Sequence, residues 1–357
     1  MIVVSSPNHD AHDPDRLAPL PEGRVYWERP VRADVLLETA HRLGHTIVAP
    51  ADHGLDPIKA VHDHRYLDFL ASCYTRWQAA GQPGTVVRPW TYAVRHLDRL
   101  PNNVVGQAGY YLASHGTPVL EATWHAALTA AHAAVEGASH ILKGAREAYA
   151  LCRPPGHHAY ADLAGGFCYL NNVAIAAQHL VSQGAGPVAI IDIDVHHGNG
   201  TQGIFYGRDD VQFVSIHSDP AELYPYYTGY ADETGTGKGL GSNLNLPLKA
   251  GTSDPGFAAA VERGIAAIAA RKPAILLVSL GFDAHAGDPT ANLAVTREGF
   301  GIAGRLIGGL GVPTLLVQEG GYIVERLADN LTTFLGGFLA VRSALAAALP
   351  PSQLVTS

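Results

Sequence analysis

An apolar run, Ala189-Ile190-Ile191, leads into Asp192-Ile193-Asp194-Val195-His196 and turns at His197-Gly198-Asn199-Gly200. Side chains on an extended strand point the same way at every second residue. Asp192, Asp194 and His196 can therefore share one side of a strand end, where a divalent cation could sit. An isolated D-x-D-x-H also fits a strand end with solvated carboxylates. Here the preceding run is apolar, so the acids would be partly desolvated. Buried carboxylates are costly unless paired or metal-bound.

Four further segments could contribute chemistry. Leu280-Gly281-Phe282-Asp283 ends a second apolar run in an acid. Alone it reads as a helix-capping aspartate; with the first motif it supplies a third ligand from a neighbouring strand. Two carboxylates and one imidazole suit zinc with one position left for water, and such a set also accepts Fe²⁺ or Co²⁺. Cys152-Arg153-Pro154-Pro155-Gly156-His157-His158 follows another strand-like run. Pro-Pro-Gly forbids a helix and fixes a turn. A neutral imidazole beyond it can take a proton from water and return it to a leaving amine, whereas a His pair on a surface is incidental. Gln318-Glu319-Gly320-Gly321-Tyr322 is either a glycine turn with a packing tyrosine or a phenol aimed at an oxyanion. In Gly165-Gly166-Phe167-Cys168-Tyr169-Leu170-Asn171-Asn172, the glycines permit close backbone approach. Phe167 either lines a passage or fills a core.

These segments need a scaffold that gathers strand ends. β-rich runs at 148–152, 188–193, 211–216, 274–280 and 313–317 alternate with helical patterns at 123–142, 172–182, 254–270, 296–310 and 323–347. Residues 2–4 and 46–49 add early strands. Continuous apolar strands alternating with helices predict an α/β fold, a central mostly parallel sheet with helices on both faces. In open α/β sheets, ligands bind beyond the carboxyl ends of the strands. No repeat or linker divides the chain, so residues 1–357 read as one domain. Two stretches interrupt the pattern. Residues 81–118, rich in scattered Pro, Gly and Asn, read as a long loop insertion. Residues 218–241 carry Tyr224, Tyr226, Tyr227 and Tyr230, an aromatic wall.

Composition excludes several classes. Hydrophobic residues make up 47% and charged residues 16%, enough apolar material for a core and too little charge for disorder. A net charge of −8 argues against nucleic-acid or acidic-membrane partners. Cys73, Cys152 and Cys168 show no ligand spacing and fit reduced thiols. The N-terminus has no signal-peptide pattern, and no uninterrupted apolar run suggests a membrane span. The expectation is a cytoplasmic protein.

PPGHH, GGFCYLNN, DIDVHHGNGTQ, SLGFDAHAGDP and VQEGGY occur in that order between about residues 120 and 340, with weaker support in His62-Asp63-x-x-Tyr66-Leu67. Together they resemble the zinc-dependent histone deacetylase superfamily. The tract from Ile216-His217-Ser218-Asp219-Pro220 to Gly235 is most similar to its bacterial acetylpolyamine amidohydrolase branch. The resemblance implies an arginase–deacetylase fold with zinc held by Asp194, His196 and Asp283. It implies His158 as general base and acid, with Asn199 as its partner. It implies His157 as a charge-stabilising neighbour held by Asp192, and Tyr322 as the residue that polarises the carbonyl. Gly166, Phe167 and Tyr224 would line the acyl tunnel. Asp192 and Ser215, with backbone carbonyls of Asp194, His196 and Ile216, would bind a structural K⁺. The resemblance also suggests a homodimer through 81–118.

The expected substrate is a small-molecule amide such as an acetylpolyamine. Protein acyl-lysine and small neutral (xenobiotic) amides are the alternatives, because 99–120 contains no Asp or Glu while Asp98, Glu121 and Glu222 flank the loops. A catalytically silent acyl-amine binder and a dinuclear manganese site complete the competing readings.

Overall fold

Strands such as Ala189-Ile190-Ile191, apolar at every position, can be satisfied only where both faces of a sheet are covered. The computed structural model describes residues 1–17, 25–94 and 97–348. Among them, eight strands form one sheet: β1 (Ile2–Ser5), β2 (Thr46–Val48), β3 (Glu147–Leu151), β4 (Val188–Asp192), β5 (Val211–Ser218), β6 (Asn243–Leu248), β7 (Ile275–Leu280) and β8 (Thr314–Gln318). The order is β2-β1-β3-β8-β7-β4-β5-β6, and every neighbouring pair is parallel. The expected "mostly parallel" sheet of a single α/β domain is therefore wholly parallel.

Alternate residues of each strand enter different cores. Ala189, Ile191, Leu276, Val278 and Leu316 pack under Phe257, Phe300, Phe334 and Phe338 from the helices Asp254–Ala270, Arg297–Gly309 and Val324–Ala348. Val188, Ile190, Leu277, Leu315 and Val317 face Ala130, Ala134, Val173 and Leu180 from Thr123–Leu142 and Asn172–Ser182. The close fit on this side depends on small residues: a Cβ on Gly137 would stand 2.6 Å from Leu315 Cδ1. A third cluster, built on Tyr66, Phe69, Trp77, Tyr111 and Tyr169, lies beyond the sheet.

Several elements were not expected from the sequence. β6 contains Pro247 and alternates Asn243 and Asn245 with Leu, a pattern tolerated because it is an edge strand paired only with β5. The helices Val31–Arg42 and His64–Ala79 form on mixed polar sequence. Within 81–118, Val104–Tyr111 is a helix capped by the Asn103 side chain, and Val87 bridges to Val119. Residues 95–96 of that expected loop, and 18–24 and 349–357 of the expected domain, lie outside the described residues. Val324–Ala348 is long and apolar enough to cross a membrane by length and composition alone, though Arg342 and Gly336-Gly337 interrupt it. Its Leu327, Leu331, Phe334 and Phe338 are instead buried in the core beneath the sheet.

Candidate active site

The carboxyl ends of β3, β8, β7, β4 and β5 lie side by side, and the first four deliver the chemistry. β4 ends at Asp192, and the chain then leaves the ladder, so strict alternation of side chains stops there. Asp192 Oδ1 accepts the Asp194 N–H at 3.1 Å, and Asp194 Oδ1 accepts the His196 N–H at 2.9 Å. Asp283, just past β7, accepts the Val195 N–H through Oδ1 at 2.9 Å. Gly320, just past β8, donates its N–H to Asp194 Oδ2 at 2.8 Å. Backbone N–H groups thus orient both carboxylates.

Asp194, His196 and Asp283 each offer a ligand atom, all within 4.8 Å of one another and all buried. Asp192 does not join them, which corrects the first grouping of the D-x-D-x-H motif; it binds His157 instead. His196 Nε2 donates to the Thr290 carbonyl at 3.0 Å. Its Nδ1 consequently faces Asp194 Oδ1 at 3.1 Å and Asp283 Oδ2 at 3.3 Å. Asp283 Oδ2 is buried with no hydrogen-bond partner among the described residues. Burial and the neighbouring Asp194 push the Asp283 carboxyl up to about 7. Burial alone would lower His196, but Asp194 and Asp283 hold it well above its ordinary value. A pocket that favours positive charge, holds an orphaned carboxylate oxygen and presents an imidazole nitrogen fits a divalent cation.

The turn after β3 positions two histidines of opposite character. His157 Nδ1 lies 2.9 Å from Asp192 Oδ2. Burial opposes its charge, but Asp192 and Asp194 outweigh burial and raise it to about 10. His158 Nδ1 lies 2.6 Å from Asn199 Oδ1. An amide oxygen only accepts, so Nδ1 carries the proton and Nε2 is left as a base. Burial and the His157 charge push His158 well below its usual value, keeping it neutral. Gly166, at φ +53°, lies so close to the His158 ring that a Cβ would collide with it.

Tyr322 closes the opposite wall. Arg32 donates to the carbonyls of Gly321 at 2.6 Å and Glu319 at 2.7 Å, fixing the turn before Tyr322, and stacks 4.7 Å from its ring. Arg32 and Arg153 both pair with buried Glu28 at 2.9 Å. A cavity of about 320 Å³ leads to these groups. It is lined by Ser114, Gly116, His158, Gly166, Phe167, His196, Leu223, Tyr224, Tyr226, Thr290 and Tyr322. Among the described residues this lining contains no Asp or Glu. Ser215 is buried on β5 in register with Asp192 and bonds His217 Nδ1 at 2.8 Å. A larger hollow of about 610 Å³, near Trp77, Trp90 and His115, holds none of these groups.

The structure therefore brings together His157, His158, Asp192, Asp194, His196, Asn199, Asp283 and Tyr322, with Gly166, Phe167 and Tyr224 along the approach. The sequence reading missed Glu28, Arg32, Asp288 and Thr290. The signal for Asp288 and Thr290 was present in Gly287-Asp288-Pro289-Thr290, an acid and turn residues just after the third ligand. Glu28 and Arg32, far in sequence from the segments that carry the reacting groups, gave none.

A wholly parallel α/β sheet with a buried two-carboxylate, one-imidazole cluster at its carboxyl edge defines a protein built for metal-assisted chemistry. The histone deacetylase domain model matches residues 26–338, and the chain belongs to the histone deacetylase family. It is 44% identical over 342 residues to an acetylpolyamine amidohydrolase of Burkholderia pseudomallei, covering 96% of this chain and 100% of that one. It is 43% identical over 345 residues to acetylpolyamine amidohydrolase 1 of Pseudomonas aeruginosa, covering 95% and 99%. The crystal structure of an acetylpolyamine aminohydrolase from Burkholderia pseudomallei superposes with a TM-score of 0.91 at 44% identity, over 96% of this chain and 99% of that one. By family, the chain is a hydrolytic deacetylase.

Proposed function

We propose that this chain is a zinc-dependent amidohydrolase that removes acetyl groups from N-acetylated polyamines and related acyl amines. The observation that carries the reading is the convergence of Asp194, His196 and Asp283 beside a neutral His158 and a buried Tyr322. Zinc held by Asp194, His196 and Asp283 would supply Lewis acidity toward the amide carbonyl and make water acidic enough to attack. His158 Nε2 accepts the proton of the attacking water, while Asn199 holds its Nδ1–H. The His157 imidazolium, anchored by Asp192, balances developing negative charge. The Tyr322 hydroxyl donates to the oxyanion as it forms. His158 then returns its proton to the nitrogen as the C–N bond breaks, leaving acetate and a free amine. Gly166, Phe167 and Tyr224 would confine the extended acyl-amine chain.

The absence of Asp and Glu from the cavity lining favours a second reading for the substrate, small neutral amides or acyl-lysine. Relative kcat/KM of the zinc-loaded enzyme on acetylputrescine, acetylspermidine, acetyl-lysine peptides and neutral N-alkyl amides ranks the substrates. Acetylpolyamines in first place support the proposal; neutral amides in first place overturn it.

Three further attributes belong to the same proposal. A structural K⁺ beside Asp192 and Ser215 is supported by their register and burial. A homodimer through residues 81–118 is supported by exposed Trp90, Val94 and Leu97. A single catalytic domain is supported by the one eight-stranded sheet among the described residues, and a cytoplasmic setting by three free, buried thiols.

A further inference from the structure

We propose that Asp288 is a positioning residue that couples the two halves of the reaction centre, aligning Tyr322 directly and His196 through Thr290. The inference rests on His196 as a metal ligand and Tyr322 as the oxyanion donor.

Asp288 is 5% exposed and sits in the turn after Asp283, between β7 and the helix Arg297–Gly309. Its Oδ2 accepts the backbone N–H of Tyr322 at 2.8 Å. Its Oδ1 accepts two donors from Thr290, the N–H at 3.0 Å and the hydroxyl at 2.8 Å. The Thr290 carbonyl in turn accepts from His196 Nε2 at 3.0 Å. One carboxylate thus ties the residue that fixes the His196 tautomer to the residue that carries the phenol. Thr290 and Tyr322 both line the cavity, so a shift in either would be felt where substrate binds. Partners one step removed from a metal ligand typically govern affinity or activity by roughly 10–100-fold.

The chemistry calls for a carboxylate in this place. All three groups that face Asp288 are donors to it, and an ionised carboxylate only accepts. Asparagine has the same shape but one amide oxygen. In either orientation its NH₂ confronts a backbone N–H, of Thr290 or of Tyr322, and one arm comes loose.

The test compares wild type, Asp288→Asn and Asp288→Ala, each alone and combined with Tyr322→Phe. Zinc dissociation constants from chelator competition and steady-state kinetics on acetylputrescine are measured for each. Asp288→Ala is expected to weaken zinc roughly tenfold and lower kcat roughly tenfold, with KM changing less. Asp288→Asn is expected to move at least one of the two. With Tyr322→Phe the phenol is gone, and the further loss of kcat from either change should shrink markedly. A folded Asp288→Ala protein with zinc affinity and kcat both within twofold of wild type overturns the proposal. If Asp288→Ala does not fold, the same result for Asp288→Asn overturns it. A loss of kcat of equal size with and without the Tyr322 hydroxyl overturns the Tyr322 arm. Wild-type protein that binds zinc but cleaves no N-acetyl amine defeats the proposed function instead, and the zinc affinities still decide the His196 arm.

Discussion

Gly320→Ala should dismantle the metal centre without touching a ligand. The added Cβ would stand 2.7 Å from Asp194 Oδ2 and closer still to Asp283 Oδ2. Real side-chain carbons essentially never come nearer than 3.0 Å, so Asp194 Oδ2 must retreat by about 0.3 Å and Asp283 Oδ2 by more. A metal–ligand distance tolerates only about ±0.2 Å. The carboxylates have little freedom to yield together, because Gly320 N–H holds Asp194 Oδ2 and Val195 N–H holds Asp283 Oδ1. At least one ligand bond is therefore lost or badly strained. Zinc affinity should fall by roughly 100-fold or more, beyond the upper range for outer-shell changes. The fold should survive, since overpacking at one site costs about 1–3 kcal/mol. Chelator competition gives the zinc dissociation constant, and thermal denaturation of the metal-free protein checks the fold. A variant with wild-type zinc affinity within threefold would refute the assignment of the cradle beneath Gly320.

Three other expectations are open to measurement. His158→Ala and Tyr322→Phe should each lower kcat by about two orders of magnitude or more while zinc content stays at one per chain; near-wild-type turnover in either would disprove that residue's role. Prolonged dialysis against a chelator should abolish hydrolysis, and zinc should restore it; activity that survives complete metal removal would end the metal-assisted reading. Two buried imidazoles should each cost stability on mild acidification. His62 Nε2 accepts the Asn171 N–H at 3.0 Å, and burial lowers this imidazole to about 4. Burial and the Arg153 charge lower His12 to about 3. Both folded values lie below the ordinary 6.5, so between pH 6.5 and about 4 these two rings bind more protons in the unfolded chain and their contribution to stability declines as pH drops. Each ring contributes up to about 1.4 kcal/mol per pH unit. Urea denaturation at pH 7 and 5.5 should show this loss, and His62→Gln should reduce it; an unchanged difference would contradict the account.

The sequence by itself determined the sheet and most of the reacting groups. Unbroken runs such as Ala189-Ile190-Ile191 demand burial on both faces, and the metal, histidine and tyrosine motifs directly follow such runs, so strand and motif are read together. Ligands two residues apart, a rigid Pro-Pro-Gly turn and a Gly-Gly-Tyr turn are local signals. What tertiary structure decided is which neighbours each group meets. Asp192 and Asp194 are equivalent in spacing, yet one turns to His157 and the other to His196, because the chain leaves the ladder between them. Two adjacent buried histidines differ in charge because Asp192 and Asp194 outweigh burial at His157, while burial and the His157 charge keep His158 neutral. Glu28, Arg32 and Asp288 act on Tyr322 across the sheet's carboxyl edge. β6 is a strand because β5 supplies its partner, not because its own residues demand it. Local pattern fixes where a side chain leaves the backbone, but its pKa and its partners follow from distance and burial, which only the packed fold sets.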